Sequence, residues 1–137
     1  MVKLRAETAE DLAVFSCYLQ DAALKVEDFA FLPAQKRFAL VCNRFMWEHD
    51  GKRHFRTRTG LHFNNVLASN VRNIPQQAKS QVLELLTIHG IAQDDRVLIN
   101  LAFAGGGDIR LEAEIIDGYM EDIGQAWETS NRPAHAD

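Results

Sequence analysis

A short basic segment in the middle of the chain has the residue types that anion binding requires. Lys52–Arg58 holds four cations around Phe55, so its charges could meet phosphates while the ring stacks on a base. A lipid head group or an acidic protein segment would suit the same residues. Charges also collect at hairpin tips, and the chain as a whole is acidic, with a net charge of −4. We therefore expect at most weak nucleic-acid or anion binding at 52–58, and no nucleic acid as the main partner.

Three histidines lie close together in the same region, which raises the question of a metal site. His49, His54 and His62 fall within fourteen residues. Five cations crowd the same part of the chain: Arg44, Lys52, Arg53, Arg56 and Arg58. Their field disfavours a divalent ion, and no Cys-x-x-Cys motif or helical pair of ligands supports one. The sequence predicts neither a bound metal nor another cofactor.

Gly105–Gly107 is the third candidate, because glycine-rich loops cradle phosphates where a strand leads into a helix. Here no Lys-Ser or Lys-Thr pair follows, and apolar residues alternate on both sides, over 97–103 and over 109–115. Such alternation predicts two antiparallel strands with one buried face. The glycines then supply the positive φ of the hairpin turn between them.

No side chain stands out as a nucleophile. Cys17 and Cys42 lie in apolar stretches, where the pKa of a thiol rises and the group is inert, and we expect both to be reduced. The serines lack the glycine neighbours of a nucleophile elbow. Glu112 and Glu114 share one face of a predicted strand, which solvent is expected to cover. The sequence leaves enzymatic activity open but favours a protein without it.

The elements that position these residues follow from the spacing of apolar side chains. Thr8 as an N-cap, followed by Leu12, Phe15 and Leu19 at helical spacing, predicts a helix over 9–21. Alternating patterns then predict six to seven antiparallel strands: 23–27, 29–32, 37–48, 55–73, 81–91 and the two arms of 96–116. Turns are expected at 33–36, 50–51 and 94–95, and a bulge or bend at 64–65.

A second helix is predicted over 118–128, with Asp117 as its cap. Its apolar stripe consists of Ile116, Met120, Ile123 and Trp127. The sum is an α+β fold: an N-terminal helix, a meander of six to seven antiparallel strands forming a strongly curved sheet or a pleckstrin-homology-like barrel, and a C-terminal capping helix. We expect 1–137 to form one domain, with an ordered core over about 4–128 and a frayed tail over 129–137.

The composition is that of an ordinary globular protein, with 137 residues of which 47% are hydrophobic and 25% charged. No apolar run is long enough to span a bilayer. Glu7, Glu10 and Asp11 interrupt the region where a signal peptide would need apolar residues. We expect a cytoplasmic protein.

Charge is unevenly distributed along the chain. Residues 36–72 hold eight Lys or Arg against two acids, whereas residues 80–137 hold three Arg against eleven acids. These charges either intermix on the folded surface, or leave a positive face for an anionic partner, or join two copies of the chain. The sequence alone keeps all three interpretations open.

Several segments, in order along the chain, resemble a known family. They are Ala9-Glu10-Asp11-Leu12, Leu19-Gln20-Asp21, Arg37–Val41, Asn43-Arg44-Phe45 with Trp47-Glu48, Gly60–Phe63, Phe103–Gly107 and Ile109–Glu112. Over roughly 4–127 the chain is similar to a family of small, single-domain bacterial proteins catalogued only as a domain of unknown function. The resemblance implies a bacterial, cytoplasmic, single-domain protein, and it carries over no activity, cofactor or catalytic residue.

We interpret the chain as a non-enzymatic binding or interaction module that recognises a protein partner or a second copy of itself. The candidate patch combines cations with an aromatic surface, as binding hot spots do: Arg44, Trp47, Arg56, Arg58 and His62. One alternative is a small-ligand or catalytic pocket inside the curved sheet, where His62 works with a nearby carboxylate. The other is the weak anion binding at 52–58.

Overall fold

The computed structural model describes residues 1–49, 51–130 and 133. Within them the chain forms one α-helix and eleven strands. In order these are β1 Lys3–Ala6, α1 Ala9–Leu19, β2 Ala23–Lys25, β3 Phe29–Leu32, β4 Arg37–Phe45, β5 His54–Phe63, β6 Val66–Arg72, β7 Val82–Gln93, β8 Arg96–Phe103, β9 Asp108–Ala113, β10 Gly118–Asp122 and β11 Trp127–Thr129. Short 3-10 turns, Val26–Asp28 and Pro33–Gln35, flank β3.

The strands form one antiparallel sheet in the order β1-β10-β5-β4-β2-β7-β8-β9-β6, with β3 also paired to β4 and β11 to β5. β1 and β6 lie at its two ends, and the sheet does not close into a barrel. β5 and β6 are one length of chain bent at Asn64–Asn65, where Asn65 has a φ of 61°. Because of that bend, β5 pairs with β4 and β10 while β6 pairs with β9 on the far side of the sheet.

The helix α1 forms where the sequence predicts it, and its capping box explains its start. The amide of Asp11 donates to Thr8 Oγ1 at 3.1 Å, and the amide of Thr8 donates to Asp11 Oδ2 at 3.2 Å. These two bonds satisfy donors that the first turn of a helix otherwise leaves unpaired. The apolar side of α1, formed by Leu12, Phe15 and Leu19, is buried in the core.

The glycine-rich segment is the predicted hairpin turn and not a phosphate loop. β8 and β9 pair from Val97–Ala113 to Ala102–Asp108. Gly105 and Gly106 have φ values of 88° and 92°, and residues other than glycine rarely adopt such values. The inward residues of both strands, such as Ile99 and Leu111, are fully buried.

The prediction of an α+β fold with a C-terminal helix and a pleckstrin-homology-like barrel is wrong. The fold is predominantly antiparallel sheet, and 118–128 contains β10 and β11 in place of a helix. In β10 every second residue is buried, namely Gly118, Met120 and Asp122. Ile123 and Trp127, which a helix would have buried, are 56% and 42% exposed. The helical stripe was misleading because two of the three inward residues of β10 are a glycine and an acid.

The strand pattern also differs from a simple meander of six to seven strands. The predicted strand 55–73 is two strands, and β1 and β10, which are far apart in sequence, are neighbours. The turn predicted at 50–51 and the tail predicted over 129–137 fall partly outside the described residues. No helix in the described part of the chain is long and apolar enough to cross a membrane.

Candidate binding surface

Arg44, the first residue of the predicted patch, is buried in the core and does not reach the surface. Its side chain is 0% exposed. Nε and Nη2 donate to the two carboxylate oxygens of Asp122, both at 2.8 Å. Nη1 and Nη2 donate to Glu48 at 2.9 and 2.6 Å, and Nη1 also contacts the carbonyl of Phe45 at 3.4 Å. All five guanidinium N–H groups of Arg44 are therefore used within the chain.

The carboxylate of Asp122 likewise forms several hydrogen bonds within the chain. Besides Arg44, it accepts hydrogen bonds from Thr59 Oγ1 at 2.7 Å and from the amide of Val2 at 2.9 Å. Burial raises the pKa of Asp122, but the hydrogen bonds from Arg44, Val2 and Thr59 outweigh it and hold the pKa below its ordinary value. Glu48 follows the same balance, since burial raises its pKa and the Arg44 hydrogen bond lowers it further. This cluster joins β1, β4, β5 and β10 as a structural unit.

Trp47 and Arg56, two further residues of the predicted patch, are half-buried and anchor the end of β4. The indole Nε1 of Trp47 donates to the carbonyl of Gln20 at 3.0 Å, and its ring centroid lies 4.7 Å from that of Phe45. Arg56 Nη1 donates to the carbonyl of Asn43 at 3.2 Å, and its guanidinium lies over the Phe45 ring at 5.8 Å. Both side chains are engaged by the fold itself.

The remaining two residues of the patch, Arg58 and His62, do share the outer face of β5. Arg58 is exposed, and its Nη1 contacts Asn43 Oδ1 at 3.4 Å. The His62 ring stacks on Tyr119 with centroids 4.9 Å apart and an angle of 17° between the ring planes. Burial, and then the charge of Arg37, lower the pKa of His62 from its ordinary 6.5, against a smaller opposing effect of Asp117. The neutral form of the imidazole therefore predominates at pH 7.

Gly60 lies between these two residues, and the missing side chain leaves a groove on the outer face of the sheet. The groove has a volume of about 300 Å³. We call it the outer groove, and its outward-facing lining is Ala39, Val41, Gly60, His62, Tyr119, Glu121 and Ile123. The Ile123 methyl groups lie about 4 Å from the position a Gly60 Cβ would take. The sequence prediction put a pocket near His62 inside the curved sheet, whereas core side chains such as Leu61 and Phe63 occupy that side.

Tyr119 and Ile123 are the lining residues that the sequence prediction missed. They were assigned to the C-terminal helix, so β10 had no predicted place beside β5. The signal that could have found the site is Gly60, because a glycine in the middle of a strand marks a bulge or a place where another group approaches closely.

Cations surround the outer groove. The strand register places Glu121 beside Gly60 and Tyr119 beside His62, and on the next strand Lys3 and Arg5 lie beside Glu121 and Tyr119. Arg5 lies 5.3 Å from the Tyr119 ring and pairs with Asp117 at 3.4 Å. Lys3, Arg37 and Arg58 have no ion pair with any carboxylate of the described residues. The outer groove is thus apolar with a mainly positive rim, in which Glu121 is the acid.

The uneven charge of the sequence is partly neutralised within the chain. Four ion pairs join the basic segment to the acidic one: Lys36–Glu114, Arg44–Asp122, Arg53–Glu128 and Arg72–Asp108. The basic segment 52–58 is also occupied, because Phe55 packs against His49 at 4.7 Å and lies under Arg53 at 5.3 Å. A ring covered on this scale offers little surface for stacking a base, which favours intermixed charges over a nucleic-acid site.

The described residues contain no group of three or more His, Cys, Asp or Glu side chains placed to hold a metal ion. Cys17 is exposed and Cys42 is buried, and both are free thiols. Burial raises the pKa of Cys42 to about 12, so this thiol is protonated and inert at neutral pH.

Comparison with known proteins assigns a family but no activity. No curated protein and no solved structure matches the chain. A family model described as "Protein of unknown function (DUF2948)" matches residues 2–135. This match confirms the resemblance noted in the sequence to a family of unknown function. Because it covers nearly the whole chain, the protein belongs to the DUF2948 family.

Proposed function

We propose that the protein is a binding module that recognises an acidic segment of a partner protein through the outer groove. The observation that carries this proposal is the position of an apolar groove between cations that the fold leaves without a carboxylate partner. Lys3, Arg37 and Arg58 surround the groove, and Ile123 beside it is 56% exposed. Exposed apolar surface with a charged rim is typical of protein interaction sites.

The geometry accommodates one apolar side chain of an extended peptide, with an acid two residues away from it. Such a side chain would lie over Gly60 and contact Val41, Tyr119 and Ile123. Arg58 precedes Gly60 by two residues on the same face of β5, a distance of about 7 Å along a strand. That distance suits a carboxylate two residues from the inserted one, because residues i and i+2 of an extended peptide point to the same side. Arg37 lies near His62, at the other end of the groove, and would meet a second carboxylate.

Arginine is suited to this role because its guanidinium binds a carboxylate with two parallel hydrogen bonds. Arg58 has donors to spare, since its side chain makes one long contact, with Asn43. Glu121 adds selectivity, because it repels a carboxylate placed directly over the groove. A segment with an apolar residue and an acid two positions before or after it therefore fits, and a uniformly acidic one does not.

The test is selection from a displayed library of random peptides, followed by measurement of Kd for one selected peptide. We expect selected peptides to carry an apolar residue with Asp or Glu two positions before or after it. Raising the salt from about 0.1 M to about 1 M shortens the screening length from about 10 Å to about 3 Å, so binding should weaken. Ile123→Asp and Arg58→Glu should each weaken binding at least about tenfold, which is about 1.4 kcal/mol.

Arg110→Glu is the matched control, because Arg110 is an exposed cation on β9, away from the groove. It should leave the Kd unchanged. Equal losses from Arg58→Glu and Arg110→Glu would reduce the effect to net charge and contradict the proposal. Sedimentation of the wild type as a dimer that Ile123→Asp dissociates would assign the groove to a second copy of the chain instead.

A further inference from the structure

The sheet has a gap beside β4 that the proposed partner site does not use. β2 pairs with β4 only at Ala23–Asn43. β3 pairs with residues 37–40 of β4. Val41 and Cys42 therefore have no strand partner on this side among the described residues. Residues 24–28 arch away from β4 and leave a cleft with a volume of about 400 Å³.

Backbone hydrogen bonds hold this arch in place. The amide of Val26 donates to the carbonyl of Gln81, and the amide of Glu27 donates to the carbonyl of Lys79, both at 3.0 Å. The amide of Lys25 donates to Asp28 Oδ2 at 3.0 Å. The cleft is thus a built feature of the fold, fixed from the segment before β7, and not a loose loop.

Charges of both signs line the cleft, together with apolar groups. Lys25 and Arg58 supply the cations, and Glu27 and Asp28 supply the acids. The other lining residues are Ala23, Leu24, Cys42, Asn43 and Val82. Among the described residues, the four charged side chains form no ion pairs with one another, so each sign is available to a ligand.

We propose that this cleft binds a small zwitterion of the α-amino acid class. The ligand carboxylate would meet Lys25 and Arg58, its ammonium group would meet Glu27 and Asp28, and its side chain would lie against Ala23 and Val82. A simple anion or a simple cation meets a repelling pair as well as an attracting one, so the cleft discriminates against both. This inference does not depend on the proposed function, although Arg58 borders both sites.

The test is a titration of the ¹⁵N-labelled full chain with L-leucine, followed by backbone amide NMR shifts. We expect saturable shifts confined to residues 23–28, 42–43 and 58. Leucinamide lacks the carboxylate and 4-methylpentanoate lacks the ammonium group, and each should bind at least about tenfold more weakly than leucine, because each loses a charge-assisted hydrogen bond. Equal binding of either analogue, shifts elsewhere, or no shifts with leucine would overturn the proposal.

Two variants and their controls complete the test. Glu27→Gln and Lys25→Met should each weaken leucine binding about tenfold, while Glu10→Gln on α1 and the exposed Lys52→Met should not. Glu27→Gln should also leave peptide binding at the outer groove unchanged, so a failure of one proposal is distinguishable from a failure of the other. Preserved dispersion of the amide spectrum confirms that each variant is folded.

Discussion

The guanidinium of Arg44 binds both carboxylate oxygens of Asp122 in the core, although 78 residues separate the two along the chain. The pair spans β5, where Thr59 donates to the same carboxylate. Val2 on the far side of β10 completes the set. Neither charge reaches water, so each depends on the other to offset the cost of leaving solvent. The consequences for stability are specific enough to measure.

Asp122→Ala should lower the free energy of unfolding by about 3–5 kcal/mol, because it leaves the buried charge of Arg44 with three of its five hydrogen bonds. Urea denaturation followed by circular dichroism measures this. Glu128→Ala is the matched control, since Glu128 pairs with Arg53 at 2.9 Å on the exposed surface, where solvent screens the pair, and this variant should lower the stability far less.

The double variant Arg44→Met with Asp122→Leu shows whether the lost stability comes from an unpaired buried charge or from the loss of the ion pair itself. Replacing both members by apolar side chains removes the stranded charge, so the double variant should be more stable than Asp122→Ala. A double variant less stable than the single one would show that the pair itself, and not an unpaired charge, sets the cost.

Stability should fall as the pH drops below about 4.5. The pKa values of Asp122 and Glu48 lie below their ordinary values of 3.8 and 4.5, so the unfolded chain takes up protons before the folded chain does. The stabilisation is complete above the ordinary pKa values and is lost as the pH falls through the folded ones. Unfolding free energies at a series of acidic pH values measure this loss.

Thr59→Val tests whether Asp122 causes this loss of stability at low pH. The substitution removes one hydrogen bond to Asp122 Oδ1, which should move the pKa of Asp122 back toward 3.8. The acid loss of stability should then be shallower than in the wild type. Parallel curves for the two proteins would assign the loss to other carboxyl groups.

Gly118→Ala should destabilise the protein by about 1–3 kcal/mol through overpacking. A Cβ at this position would lie 2.6 Å from Phe63 Cε1 and 3.4 Å from Phe15 Cε2, and both rings are buried. Gly60→Ala is the control within the paired strand β5, because its Cβ would find its nearest neighbour at 3.9 Å. That variant should keep or raise stability by up to about 1 kcal/mol. Thermal unfolding measures the stability of both variants. Equal losses of stability would contradict the packing explanation.

The two cysteines should react with iodoacetamide at very different rates. Cys17 is exposed, whereas burial raises the pKa of Cys42 to about 12. At pH 8 the folded protein should take up one label, at Cys17, and the urea-unfolded protein two. Mass spectrometry of the labelled peptides identifies the sites. Labelling of Cys42 in the folded state at the rate of Cys17 would show that the centre of β4 is open to solvent.

Local patterns predicted the parts of the fold that depend on local chemistry. Thr8 and the residues that follow it specify α1, and the glycines at 105–107 with their alternating flanks specify the β8–β9 turn. The C-terminal strands could not be found this way, because burial of Asp122 depends on Arg44 and burial of Gly118 depends on Phe63. Both of these partners are distant in sequence. Without them, the apolar residues of 116–127 match a helix better than a strand.

The candidate site was predicted only in part, for a related reason. Strand alternation puts Arg44 on the same side as Leu40 and Cys42, which face the core. An arginine is fully buried, however, only where an acceptor such as a carboxylate pairs with it. The predicted strand 55–73 contains both Arg58 and His62, and both lie on β5. The groove between them depends on Tyr119 and Ile123, which enter through the pairing of β10 with β5.

The pairing of β1 with β10 also determines how early this part of the sheet can form during synthesis. Lys3 lies opposite Glu121, and the amide of Val2 bonds to a carboxylate 120 positions later. At ribosomal rates of about 5–20 residues per second, roughly ten seconds pass between synthesis of the two strands. During that interval β1 has no neighbour in the sheet, and Arg44 has no aspartate. Folding around this pair therefore begins only once β10 has left the ribosome, and until then β1 and Arg44 lack these partners.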